Sequence, residues 1–120
     1  MTEIPDRLKK LSEKYNVSVQ RDPKCDRNEG ASAGFDIYLG EFDDPDIELV
    51  AFFHELGHCL SNILVCRRGY TMCTLSSEGL AWELGLGLAY ENGYTWDYHS
   101  KEMIYARSRL ETYIHNSDNF

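Results

Sequence analysis

Along the chain, the first clear rhythm of apolar positions is Leu8, Leu11 and Tyr15, spaced three and four residues apart. It predicts a short docking helix with Pro5 in its first turn. Val17-Ser18-Val19-Gln20 then alternates, as a strand does, and Asp22-Pro23 through Gly30 is a turn-rich connection carrying Cys25. Ala33-Gly34-Phe35-Asp36-Ile37-Tyr38-Leu39 predicts a second strand, stopped near Gly40, so that one small sheet forms near the N-terminus.

The pattern changes at Asp44-Pro45, a capping residue followed by a first-turn proline. From there Ile47, Leu49, Val50, Phe52, Phe53, Leu56, Leu60, Ile63 and Leu64 cover most of a helix's circumference, which predicts a central, largely buried helix. Residues 66–73 read as a short connection. A second helix is expected from about Ser76 to Tyr90, stopped by Asn92-Gly93, with Gly79, Gly85 and Gly87 permitting close packing at some cost in helicity. A last helix around Tyr98 to Ile114 places Met103, Ala106, Leu110 and Ile114 at helical intervals. The sum is an α+β domain spanning residues 1–120, with a central helix, two further packing helices and a small sheet, and no internal repeat or linker.

Composition narrows what such a domain can do. Twelve Lys and Arg against 20 Asp and Glu give a formal net charge of −8, which argues against a phosphate-backbone partner. The local Arg67-Arg68 pair does not make a nucleic-acid interface. The longest apolar run, near Leu49 to Leu64, is interrupted by His54, Glu55 and His58, so no membrane span is expected. The first residues are acidic and polar, unlike a secretory signal, and Cys25, Cys59, Cys66 and Cys73 are then expected to be thiols in a cytoplasmic setting.

The chemistry is concentrated in His54-Glu55-Leu56-Gly57-His58 on the central helix. Residues four apart lie one above the other, so both imidazoles can reach one metal ion. Glu55 projects about 100° away, where it can hold the attacking water instead of completing the ligand set. Zinc with three protein ligands and an open position is the arrangement that hydrolysis requires.

The third ligand is sought on the next helix, where Glu78 and Glu83 project about 140° apart, so only one can face the ion. Glu78 shares its side with Ala81, Trp82, Gly85 and Ala89, a small and aromatic face suited to packing on the central helix, and is preferred. His99 is a further alternative. With Tyr98 or Tyr105 it is also a candidate for stabilising the oxyanion. Glycine at Ser61 and histidine at Leu64, which a metzincin would need, are both missing. Cys59 is read as a small core residue and not a nucleophile activated by His58, because adjacent helical residues diverge. Cys59, Cys66 and Cys73 lack the spacing of a compact zinc cluster.

On these residues the chain resembles the gluzincin branch of zinc metallopeptidases, and in particular the compact ImmA/IrrE-like metallopeptidases. The resemblance runs from about Phe35 to Tyr90. It implies His54 and His58 as zinc ligands, Glu55 as general base and Glu78 as the downstream third ligand. It also places the Ile37-Tyr38-Leu39 strand beside the cleft, with an edge on which a peptide could align. The implied activity is an endopeptidase acting on a protein or peptide substrate, such as a transcriptional regulator. The alternative of a different class is a noncatalytic, metal-stabilised protein-binding module.

Overall fold

The computed structural model describes the backbone of residues 1–68 and 74–117, and the side chains of residues 1–61 and 76–114. The elements follow as α1 (Asp6–Lys14), β1 (Ser18–Arg21), β2 (Gly30–Ala33), β3 (Asp36–Leu39), α2 (Pro45–Arg68), α3 (Thr74–Glu91) and α4 (Lys101–Ser117). This is the expected α+β architecture: a central helix bearing the His-Glu-x-x-His motif, two further packing helices, and a small N-terminal sheet.

The central helix begins as its sequence dictates. Asp44 Oδ1 accepts the backbone N–H of Asp46 at 2.9 Å, satisfying one of the first-turn donors that have no partner within the helix. Leu49 to Phe53, Leu56 and Cys59 are all buried. Its apolar sides face two clusters. On one, Phe52, Phe53 and Leu56 pack with Leu8 and Leu11 of α1 and Ile37 and Leu39 of β3. On the other, Val50 packs with Trp82 of α3 and Ala106 of α4. α2 continues to Arg68, so Cys66, Arg67 and Arg68 belong to its last turn, not to the connection expected there. Nothing else expected of residues 66–73, the roles of Cys66 and Cys73 included, falls within the described side chains.

The sheet departs from expectation in a way that matters for the site. Its order is β1-β3-β2, with β1 parallel and β2 antiparallel to β3. β3 is therefore the central strand, hydrogen-bonded on both sides, and its Ile37-Tyr38-Leu39 run has no edge to offer. The edges belong to β1 and β2, and the one that borders the cleft is β2, a strand that the composition of Gly30-Ala31-Ser32-Ala33 conceals. The single strand expected over residues 33–39 is in fact the end of a hairpin: Ala33 pairs with Asp36, and Gly34 turns the chain at φ 59. A left-handed φ at the first position of a two-residue turn is where hairpins favour glycine.

At the N-terminus, Pro5 caps α1 from outside, with no side-chain capping bond, instead of sitting within the first turn. At the other end, α4 starts and stops about three residues later than its sequence suggests, and Ile114 is exposed at 43%. β1 is tied to α2 by a buried ion pair between Arg21 and Glu48, whose side chains are only 8% and 4% exposed. Arg21 Nη1 also donates to the Gly40 carbonyl at 2.7 Å.

Candidate metal centre

Two glycines allow the site to form. A Cβ on Gly57 would stand 1.9 Å from the Ala81 carbonyl oxygen, and one on Gly85 would stand 2.3 Å from that of Phe53. α2 and α3 thus touch backbone to backbone, which leaves no room for any side chain at these positions. Gly79 and Gly87 meet nothing within 4 Å and contribute nothing to this approach. The close contact places Glu78 of α3 directly over the two histidines of α2.

Glu78 Oε2 lies 2.8 Å from His54 Nε2, and Glu78 Oε1 lies 3.0 Å from His58 Nε2. His54, His58 and Glu78 are the one group of potential metal ligands found among the described residues, with donor atoms all within 4.8 Å of one another. Two imidazole nitrogens and a carboxylate oxygen form a donor set suited to zinc, with capacity for a fourth, non-protein ligand. The residues therefore fit the metal that the motif implies.

The electrostatics suit such a cluster. Burial acts to raise the Glu78 pKa, but the hydrogen bonds from His54 and His58 outweigh it and hold the carboxyl down at about 2. Burial likewise acts against a charged His54, yet its hydrogen bonds with Glu55 and Glu78 prevail and raise its pKa above 6.5. His54 Nδ1 is 3.3 Å from Glu55 Oε2 while its Nε2 faces Glu78. Carboxylates only accept, so flanking both nitrogens of the imidazole with them favours its protonated form. The other face of the ring is fixed by Trp82, stacked at 4.0 Å between centroids and 4° between planes.

The cluster opens onto a cleft of about 280 Å³. One wall is β2, through Gly30, Ala31 and Ser32; the other is α4, through Tyr105, Arg109 and Tyr113. Glu55 lines the floor beside the histidines and outside the ligand group. A Cβ on Gly30 would meet Leu39 Cδ2 at 3.0 Å and only touch Glu55 Cγ at 3.4 Å, so Glu55 lies directly beneath the strand at ordinary contact distance. Tyr105 donates its hydroxyl to the Asn28 carbonyl at 3.1 Å, and burial pushes its pKa up to about 12. Tyr113 makes a side-chain hydrogen bond with Glu78.

The other candidates fall away from the cleft. Glu83 is exposed on α3. His99 is exposed and packs edge-on against Tyr98 at 5.0 Å, and neither lines the cleft. Cys25 and Cys59 are free thiols, and burial pushes Cys59 up to about 11, the state of an inert core thiol. Of the α4 face only Tyr105 was among the sequence candidates, as an oxyanion partner of His99; Arg109 and Tyr113 were not anticipated, although the three recur every four residues and so share one side of a helix.

Fold and cluster together define a zincin-like metal-binding domain. No protein-family model, curated protein or solved structure matches the chain, so this class rests on its own residues and geometry. No helix among the described residues is long and apolar enough to cross a membrane.

Proposed function

We propose that this chain is a zinc-dependent endopeptidase of the gluzincin type, related in design to the ImmA/IrrE-like metallopeptidases. The observation that carries the reading is the separation of roles in the cleft: three residues converge as ligands, and a fourth acid, Glu55, lines the same cleft outside that group. His54, His58 and Glu78 would hold the ion. Zinc supplies, when bound, the Lewis acidity that lowers the pKa of water and polarises a scissile carbonyl. Glu55 takes the proton from the attacking water and delivers it to the leaving amine. Trp82 keeps the His54 ring in one plane, and Glu55 lines the cleft beside it. The substrate is a protein or peptide, with a transcriptional regulator in a cytoplasmic setting as the proposed biological target.

The decisive comparison is between zinc-loaded wild type and Glu55→Gln, incubated with native and denatured proteins and read by mass spectrometry. Wild type should cut, while Glu55→Gln should keep about one zinc per chain and lose activity by about 10²–10⁴-fold. If folded, zinc-loaded wild type cuts nothing, or Glu55→Gln cuts equally well, the peptidase reading is wrong. The cluster also bridges two helices, as a structural metal would, which favours the metal-stabilised binding module as the second reading. That module would keep its partner after Glu55→Gln and unfold when the metal is stripped.

A further inference from the structure

The wall of the cleft opposite β2 carries a charge that the hydrolytic chemistry does not use. Arg109 is the one arginine or lysine among the described residues lining the cleft, and it stands on α4 between Tyr105 and Tyr113. Its Nη1 donates to Glu29 Oε1 at 2.9 Å, and that is the only described hydrogen bond of its guanidinium. A guanidinium presents five N–H donors in a planar fork, so a single bond at one corner fixes the group and leaves another edge for a second acceptor.

Glu29 does not line the cleft. It sits at the rim, 39% exposed, in the residue before Gly30, the first of β2. The ion pair therefore fastens the guanidinium to the start of the free edge strand and holds it at a fixed height along any peptide lying there. Tyr105 is itself tied to Asn28, so the whole α4 wall is registered to the same end of β2.

A chain with a net charge of −8 repels acidic ligands at long range. Away from the metal ligands, Arg109 is thus a local selector on the α4 wall, between Tyr105 and Tyr113 and still 33% exposed to an incoming ligand. Cations of this kind recognise a carboxylate through charge-assisted, bidentate hydrogen bonds.

Building on the peptidase reading above, we propose that Arg109 is the specificity-determining residue of this cleft and takes a carboxylate of the peptide, from an acidic side chain or a free C-terminus. Recognition should be confined to one position, because the guanidinium is anchored and cannot follow the peptide along the strand.

The test has a binding arm and a cleavage arm. Peptides matched except for Glu against Gln at each position, and for acid against amide at the C-terminus, are titrated against zinc-loaded Glu55→Gln protein by fluorescence anisotropy. The same set is offered to wild type for cleavage. A preference of about tenfold for the carboxylate at a single position is expected, a value within the range of a charge-assisted hydrogen bond. The Glu-for-Gln series places it on a side chain, and the acid-for-amide pair places it on the C-terminus. Arg109→Met should reduce the preference to within about twofold while zinc stoichiometry and circular dichroism stay unchanged. The double swap Glu29→Arg with Arg109→Glu keeps an ion pair across the rim but removes the cation from the cleft.

If the swap restores the preference, or the preference survives Arg109→Met, or wild type shows none, Arg109 is a structural tie and the proposal fails. Arg109-dependent binding without any cleavage would uphold the carboxylate site and remove the peptidase reading, so the two stand or fall separately.

Discussion

Two buried glutamates, Glu48 on α2 and Glu78 on α3, are 3% and 7% exposed, yet they belong to different kinds of structure. Glu48 meets Arg21, a guanidinium that holds its charge and has no lone pair to offer a metal. Glu78 meets two imidazoles, whose ring nitrogens can bind a metal instead. The first pair is sealed between β1 and α2, and the second opens on a cleft. Burial of an acid therefore identifies nothing by itself. The chemistry of its partner and access from solvent separate a structural tie from a candidate centre.

The sharpest way to break this contrast is to remove one partner from each. Arg21→Met leaves the Glu48 charge buried and alone, which should cost about 3–5 kcal/mol of unfolding free energy by denaturant titration. The surviving folded fraction should bind zinc as before. Glu78→Ala or His58→Ala should instead lower zinc affinity by more than the 10–100-fold that loss of a supporting residue costs, because a ligand itself is gone. Zinc binding that withstood both changes would exclude the cluster as the metal site.

A smaller effect is expected from the contact that brings α3 over α2. In Gly57→Ala the new methyl meets the Ala81 carbonyl at a distance no pair of atoms tolerates, so the helices must separate. Overpacking of this sort costs about 1–3 kcal/mol. Zinc affinity should fall with it, since Glu78 moves with α3. Gly87→Ala, which meets nothing, is the matched control and should be neutral or mildly stabilising through higher helix propensity.

Acidity tests the same contrast without mutation. The Glu78 pKa is depressed from 4.5 to about 2, so its contribution to metal-free stability is present above pH 4.5 and is lost as pH falls toward 2. The His54 pKa is raised from 6.5, so its contribution is present below pH 6.5 and is lost as pH rises through the higher folded value. Zinc reverses the second trend, because a ligating imidazole must give up its proton. Below the raised His54 pKa, zinc affinity should drop by about tenfold per pH unit, and the zinc-induced rise in Tm should grow from pH 5.5 to pH 8. A rise in Tm that is flat across this range would mean that His54 does not ligate.

What was legible in the sequence follows from which forces are local. The central helix announced itself through a cap, a first-turn proline and an apolar circumference, and the metal motif through spacing alone. Glu78 was separable from Glu83 because one helical face held the small residues that a close neighbour requires. β2 was not legible: Gly30-Ala31-Ser32-Ala33 has no β-branched or aromatic side chain, and it is a strand because β3 pairs with it. The edge was therefore assigned to β3, the strand with the stronger pattern. The Arg21–Glu48 tie and the parts of Arg109 and Tyr113 in the α4 wall were equally hidden, since both join residues far apart in the chain. Tyr105, Arg109 and Tyr113 show a helical repeat, but the repeat does not say what it faces.

The smallest effect expected belongs to Trp82→Phe, where two contributions oppose each other. The indole ring lies flat on His54, which limits the imidazole's rotation, while its Nε1–H is buried without a hydrogen-bond partner among the described residues. An unmet buried donor costs about 1–3 kcal/mol, a penalty that Trp82→Phe abolishes. Phe is also smaller, and the void it leaves costs a comparable amount at about 24 cal/mol per Å³. The two should cancel to within about 1 kcal/mol of unfolding free energy. Phe keeps an aromatic face over His54, so zinc affinity should change by no more than about threefold. Trp82→Ala removes both face and volume and should cost about 3–5 kcal/mol. A loss of zinc affinity beyond about tenfold in Trp82→Phe would show that the indole N–H, and not the ring face, is what the centre needs from this residue.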